Sequence, residues 1–192
     1  MNQSKTDSLK QYSKLVRQLV EFFGCQGEIP KLMKVLEDSP LQPEINQFTA
    51  YRVIMLSPGL ESECGGWKKA QLDWDRITEA NNSWSRSLAG AKYYANKNSI
   101  EKYQIMITAQ VMGFHLSDYA LQVAGNLQAL VEICSLDEIM SVKNWMGDTA
   151  IDWIHRLKKS VSHFEKEDEI VGVKVLDYKI IENKYMADDV QD

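Results

Sequence analysis

Apolar positions recur at helical spacing along most of this chain. In TDSLKQYSKLVRQLVEFFG, residues 6–24, Leu9, Tyr12, Val16, Leu19 and Phe23 step by three and four, which draws one apolar face along a helix. Thr6 stands where an N-cap is expected, Asp7 suits the positive end of the helix dipole, and Gly24 allows a left-handed stop. Pro30 fits the first turn of a short helix reaching Glu37. The break SPLQP at 39–43 follows, and Pro43 opens a predicted third helix ending near Leu56. SPGLESECGG, 57–66, is the clearest loop of the chain.

From 66 to 98, Trp67, Ala70, Trp74, Ile77, Asn81, Trp84, Leu88 and Ala91 keep a 3-4 alternation, the spacing of a helical seam. Another helix is predicted from Ser99 to about Phe114, with a break at LSDYA and Ser117 as the next cap. SLDE at 135–138 has the form of a capping box. After it Ile139, Val142, Met146, Ala150, Trp153, Leu157, Val161 and Phe164 stay in phase, which predicts one long helix, bent at Gly147. The expected fold is therefore mainly α: a bundle of about six helices over 1–164, with a short C-terminal β element in the segment 165–192.

That β element is IVGVKVLDYKII, 170–181, where β-branched and aromatic residues dominate. A strand must pair with a neighbour, because its backbone hydrogen bonds lie outside itself. Three partners are open: a segment of the same chain (AYRVIML at 50–56, or a hairpin), a second copy, or the sheet edge of another protein. The intermolecular reading is favoured, with Val171, Val173, Val175, Tyr178 and Ile180 as candidate partner-binding residues.

Charge changes the picture only near one end. Residues 1–164 hold 18 basic and 18 acidic side chains, whereas 165–192 hold 4 and 9, so the net charge of −5 belongs to the last 28 residues. A neutral body gives no electrostatic reason for broad adhesion to nucleic acid or membrane. The stretch 105–134 is apolar enough to ask whether it spans a membrane. Its glutamines and Asp118 would be costly in hydrocarbon, so a core helix or helix pair is expected instead. The N-terminus lacks the apolar core of a secretory signal. Cys25, Cys64 and Cys134 are scattered and odd in number, which points to a reducing, cytoplasmic setting without disulfides.

Candidate chemistry is sparse. No phosphate loop, nucleophile elbow, zincin or dinucleotide fingerprint is present. His115 reads as a core histidine. Asp152 and His155, spaced i, i+3, form only half of a di-iron pattern and read as a solvated helix face. Ser99 in SIEK reads as a cap, and Cys64 beside Glu61 and Glu63 is a poor nucleophile. No catalytic residue, cofactor or metal is expected.

Cations do show some organisation. Lys10, Lys14 and Arg17 line one side of the first helix, while Lys68, Lys69, Arg76 and Arg86 neighbour tryptophans, a combination able to contact nucleic acid. The expected function is a non-catalytic cytoplasmic binding or assembly subunit, acting through protein contacts with another protein or a second copy. The alternatives are a helical subunit of a nucleoprotein complex and a small acidic inhibitor, immunity or antitoxin-like protein.

Overall fold

A computed structural model describes residues 2–25, 29–56, 82–97, 103–142 and 147–182. Among them are six helices and a four-stranded antiparallel sheet, so the fold is mixed α and β. This corrects the all-α bundle expected from the sequence. In chain order the elements are α1 (Asn2–Cys25), α2 (Ile29–Glu37), β1 (Asn46–Leu56), β2 (Asn82–Ser85) and α3 (Leu88–Lys97). Then come β3 (Tyr103–His115), α4 (Leu116–Ile133), α5 (Leu136–Ser141), α6 (Ala150–Phe164) and β4 (Glu169–Glu182).

Two compact units result, one from 1–44 with 116–165 and the other from 45–115 with 166–192. In the helical unit α1, α4 and α6 pack on one another. The stripe predicted on α1 is real: Leu9, Val16, Leu19 and Phe23 are buried. From α4 come Val123, Ala124 and Leu127, from α6 Trp153, Leu157 and Val161, and the Phe23 and Phe164 rings lie 5.3 Å apart. Thr6 does not cap α1, which starts at Asn2; its hydroxyl instead donates to Glu138 Oε1 at 3.4 Å. The capping box at 135–138 forms as expected. The long helix beyond it does not, because Gly147 takes φ +91° and a second box, Thr149 with Asp152, starts α6 afresh.

The strand unit holds the main departures. Residues 46–56, read as a helix from Pro43, are β1; 103–115, read as part of a helix or helix pair, are β3. They pair over eleven residues without a slip, from Asn46 opposite Gly113 to Leu56 opposite Tyr103. The 82–97 part of the predicted Trp seam divides into β2 and α3, and Trp67 and Trp74 lie outside the described residues. Trp84 therefore points into a sheet, not a helix seam.

The question of what β4 pairs with is answered within the chain. On one side it runs antiparallel to β3, from Ile170 opposite His115 to Glu182 opposite Ile105. On the other, Glu169 to Gly172 pair with Ser85 to Asn82. Irregularities opposite Gln110/Val111 and Met112/Gly113 leave extra residues in β4, and such bulges bend and twist a strand. The single pair Tyr51 with Ser85 then closes the four strands into a barrel.

Its interior holds Ala50, Trp84, Ile107, Ala109, Val111 and Ile170, with Phe48 and Val175 packed against them. A four-stranded ring has little room inside, and small residues beside one large indole fit that space. Gly172 completes the fit: a Cβ there would lie 2.9 Å from Trp84 Cδ1 and 2.8 Å from Val111 Cγ1.

Candidate functional site

β1 and β2 meet at one residue pair only, and α3 packs against both strands. A cleft of about 370 Å³ lies here, lined by Tyr51, Arg52, Ser83, Trp84, Tyr94 and Glu169, among others. Alternation along β1 puts Arg52 on the same face as Phe48 and Ala50, which belong to the barrel core. Its guanidinium carbon lies 5.8 Å from the centre of the Trp84 ring, within cation–π range. Burial pulls the Arg52 pKa below its ordinary value, and nearby Tyr94 opposes that shift.

Across the cleft, Ser83 Oγ donates to Glu169 Oε1. Burial pushes the Glu169 carboxyl above the usual carboxylate range; the Ser83 hydroxyl counters this and neighbouring Glu167 adds to it. The wall beneath is tightly built. Ser85 Oγ lies within hydrogen-bond distance of the Ser87 and Glu167 carbonyls, at 2.9 and 2.8 Å, and its one proton can be donated to either. Gly90 of α3 lies directly on this arrangement, since a Cβ there would collide with Ser85 Oγ and the Glu167 carbonyl. Trp84 is 2 % exposed, and its indole N–H has no hydrogen-bond acceptor among the described residues.

A second polar cluster pins the strand ends of the same unit. Asp168 takes φ +51°, a left-handed conformation that Asp tolerates better than most residues. Its Oδ1 is 3.0 Å from Arg86 Nε and 3.1 Å from His115 Nε2, and its carbonyl accepts from the Arg86 backbone N–H at 2.8 Å. Arg86 follows β2, His115 ends β3 and Asp168 precedes β4, so one carboxylate ties three strand ends. His115 is mostly enclosed, with its partner supplied by this clamp.

The residues singled out from sequence are distributed otherwise. Val171 is fully enclosed, Val173 is half-buried, Val175 packs on the barrel core, and Tyr178 is exposed. The Ile180 side chain lies outside the described residues, as do Lys68, Lys69 and Arg76. Lys10 and Lys14 are exposed on α1, but Arg17 pairs with Glu21 at 3.7 Å and Arg86 with Asp168. Asp152 serves as the capping acceptor of α6, and hydrogen bonds from Thr149 hold its carboxyl below the ordinary range. Among the described residues no cluster of His, Cys, Asp and Glu could hold a metal, and no helix is long and apolar enough to cross a membrane.

Sequence reasoning missed Arg52, Ser83, Tyr94 and Glu169. A signal existed for the first: in FTAYRVIML, Arg52 is a lone cation on a face begun by Phe48 and Ala50. It becomes visible only once the segment is read at period two. No family model, curated protein or solved structure matches the chain.

Proposed function

We propose that this chain is a cytoplasmic, non-catalytic binding protein whose ligand site is the cleft between β1, β2 and α3. The observation that carries the reading is Arg52, a cation drawn into the barrel wall beside Trp84 and opening on a cleft with a half-buried carboxyl group. Buried charge is costly to a fold, and its convergence with aromatic and hydroxyl groups in a concave site is the usual mark of a ligand pocket.

The binding class expected from sequence is kept, but its occupant changes from a protein to a small molecule. β4 finds partners within the chain, β3 along its length and β2 at residues 169–172, so its backbone does not by itself call for a second protein. For the nucleoprotein alternative, Arg17 and Arg86 are engaged by Glu21 and Asp168, which leaves it less supported than the cleft. The test is a thermal-shift screen of polar metabolites, run in parallel on the native chain and Arg52→Gln. A compound that raises Tm only when Arg52 is present supports the reading. A screen in which every stabiliser acts equally on both proteins sinks it.

A further inference from the structure

We infer that β4 carries a docking edge for a second copy of this chain, paired antiparallel with itself about a two-fold axis through Tyr178. This contact lies apart from the cleft and does not depend on it. β4 runs for 14 residues, but β2 pairs with it only from Glu169 to Gly172. Past Gly172 no strand pairs with that side of β4 among the described residues. The side chains there are open. Lys174 and every residue from Leu176 to Lys179 are exposed, Leu176 at 46 % and Tyr178 at 40 %. Exposure at successive positions means that both faces of the strand are uncovered. The Tyr178 backbone N–H donates at 2.8 Å to the Asp177 side chain, again an exposed contact. A carboxylate thus answers an amide that an incoming strand would answer with a carbonyl, and such an edge is a template for another chain.

The sequence around Tyr178, KVLDYKIIE at 174–182, says which chain fits. Counted outward from the tyrosine, Asp177 and Lys179 stand one step away, and Leu176 and Ile180 two. Val175 and Ile181 stand three steps away, and Lys174 and Glu182 four. Each apolar position is mirrored by an apolar one, and each charge by its opposite. A strand with that antisymmetry is complementary to its own reverse, as an antiparallel two-fold contact requires. Centred on Tyr178, the pairing sets Asp177 of each copy against Lys179 of the other, and opposite charges so placed stabilise a sheet. Moving the axis by one residue would set Asp177 against Asp177, or Lys179 against Lys179. The bulge that leaves Leu176 unmatched by β3 disturbs the flanks, so the three central pairs hold the register.

The experiment is sedimentation velocity on the full chain over a range of concentrations, repeated with Asp177→Lys, with Lys179→Asp and with both together. Both positions are exposed, and circular dichroism checks that each variant keeps the fold. The native chain should sediment reversibly as a species of twice its 22.0 kDa mass. Either single change sets like charges opposite one another on both sides of the axis and should weaken association about tenfold. The double change exchanges the two charges, restores the opposite pairs, and should return association to the native level. A loss of folding would not be repaired in this way.

A chain that stays monomeric at every concentration overturns the second copy and leaves the edge to a strand of another protein. A dimer indifferent to the single changes places the contact elsewhere and overturns it too. So does weakening that the double change fails to repair, because the charge order around Tyr178 would then not set the register.

Discussion

The helical unit buries large side chains that are almost all apolar: Leu9, Leu19, Leu116, Leu127 and Leu157 are essentially inaccessible. The strand unit encloses Ile107, Val111 and Ile170 in the same way, yet sets Arg52, Trp84, His115 and Asp168 at or beside that core. A helix satisfies its own backbone, so the helical unit needs only apolar complementarity between faces. A closed sheet holds its backbone by cross-strand bonds, which fix side chains on neighbouring strands at set spacings. Such a frame can hold opposed polar groups at a constant distance, as a binding site requires. Departures from simple burial rules gather where function is expected. On that view, packing in the helices supplies stability and the barrel carries the site.

Four substitutions press on this contrast, from the largest effect to the smallest. Leu157→Ala empties a fully buried position in α6 and should cost about 3 kcal/mol, within the range for buried leucines. Urea unfolding gives the total, and hydrogen exchange resolved by segment should place the loss in α1, α4 and α6. Loss spread evenly over β1–β4 would contradict a helical unit with its own core. Gly113→Ala acts on the other side: its Cβ would collide with the Val171 carbonyl of the neighbouring strand. Overpacking of this kind costs about 2 kcal/mol, and exchange should quicken in β3 and β4. An unchanged urea midpoint would mean the barrel is looser than its register implies.

Thr149→Ala removes a cap hydroxyl and should cost about 1 kcal/mol, read as faster exchange in the first turn of α6. Glu169→Gln is the smallest and has the opposite sign. Burial raises the folded carboxyl above its unfolded pKa, so its favourable contribution holds while the group is protonated in both states. That contribution is lost as pH rises through the folded value. Glu169→Gln should therefore raise Tm slightly at neutral pH, and the gain should vanish once pH falls below the ordinary carboxylate range. A variant more stable yet poorer at binding would be the signature of a group retained for its ligand. A gain that persists at low pH would assign the effect to packing instead of charge.

How much of this was legible in sequence follows the same divide. α1, α2 and the capping box at Ser135 could be read because their determinants lie within four residues of one another. The box at Thr149 was equally local, but the apolar phase running through Gly147 hid it. β4 showed itself by its density of Val and Ile. β1 and β3 did not: QIMITAQVM in β3 is rich in Met, Gln and Ala, and β1 follows a proline that suits a helix start. Their strand character depends on pairing with each other across the 46 residues between them, an energy that no window of either segment contains. The site was hidden for the same reason. Arg52 and Glu169 share a cleft through the closure at Tyr51 and Ser85, and their separation in sequence carries no sign of it.

The order in which the strands join has a consequence for synthesis. β1 can zip onto β3 as soon as residue 115 leaves the ribosome, but β4 is translated only after α4, α5 and α6. At about 5–20 residues per second, that leaves a growing chain for several seconds with one side of β3 still awaiting its partner. During that interval the edge running past Ile107, Ala109 and Val111 can recruit a strand from a neighbouring nascent chain. Chaperone demand should therefore peak mid-translation, and slowing elongation between residues 116 and 168 should favour aggregation over yield.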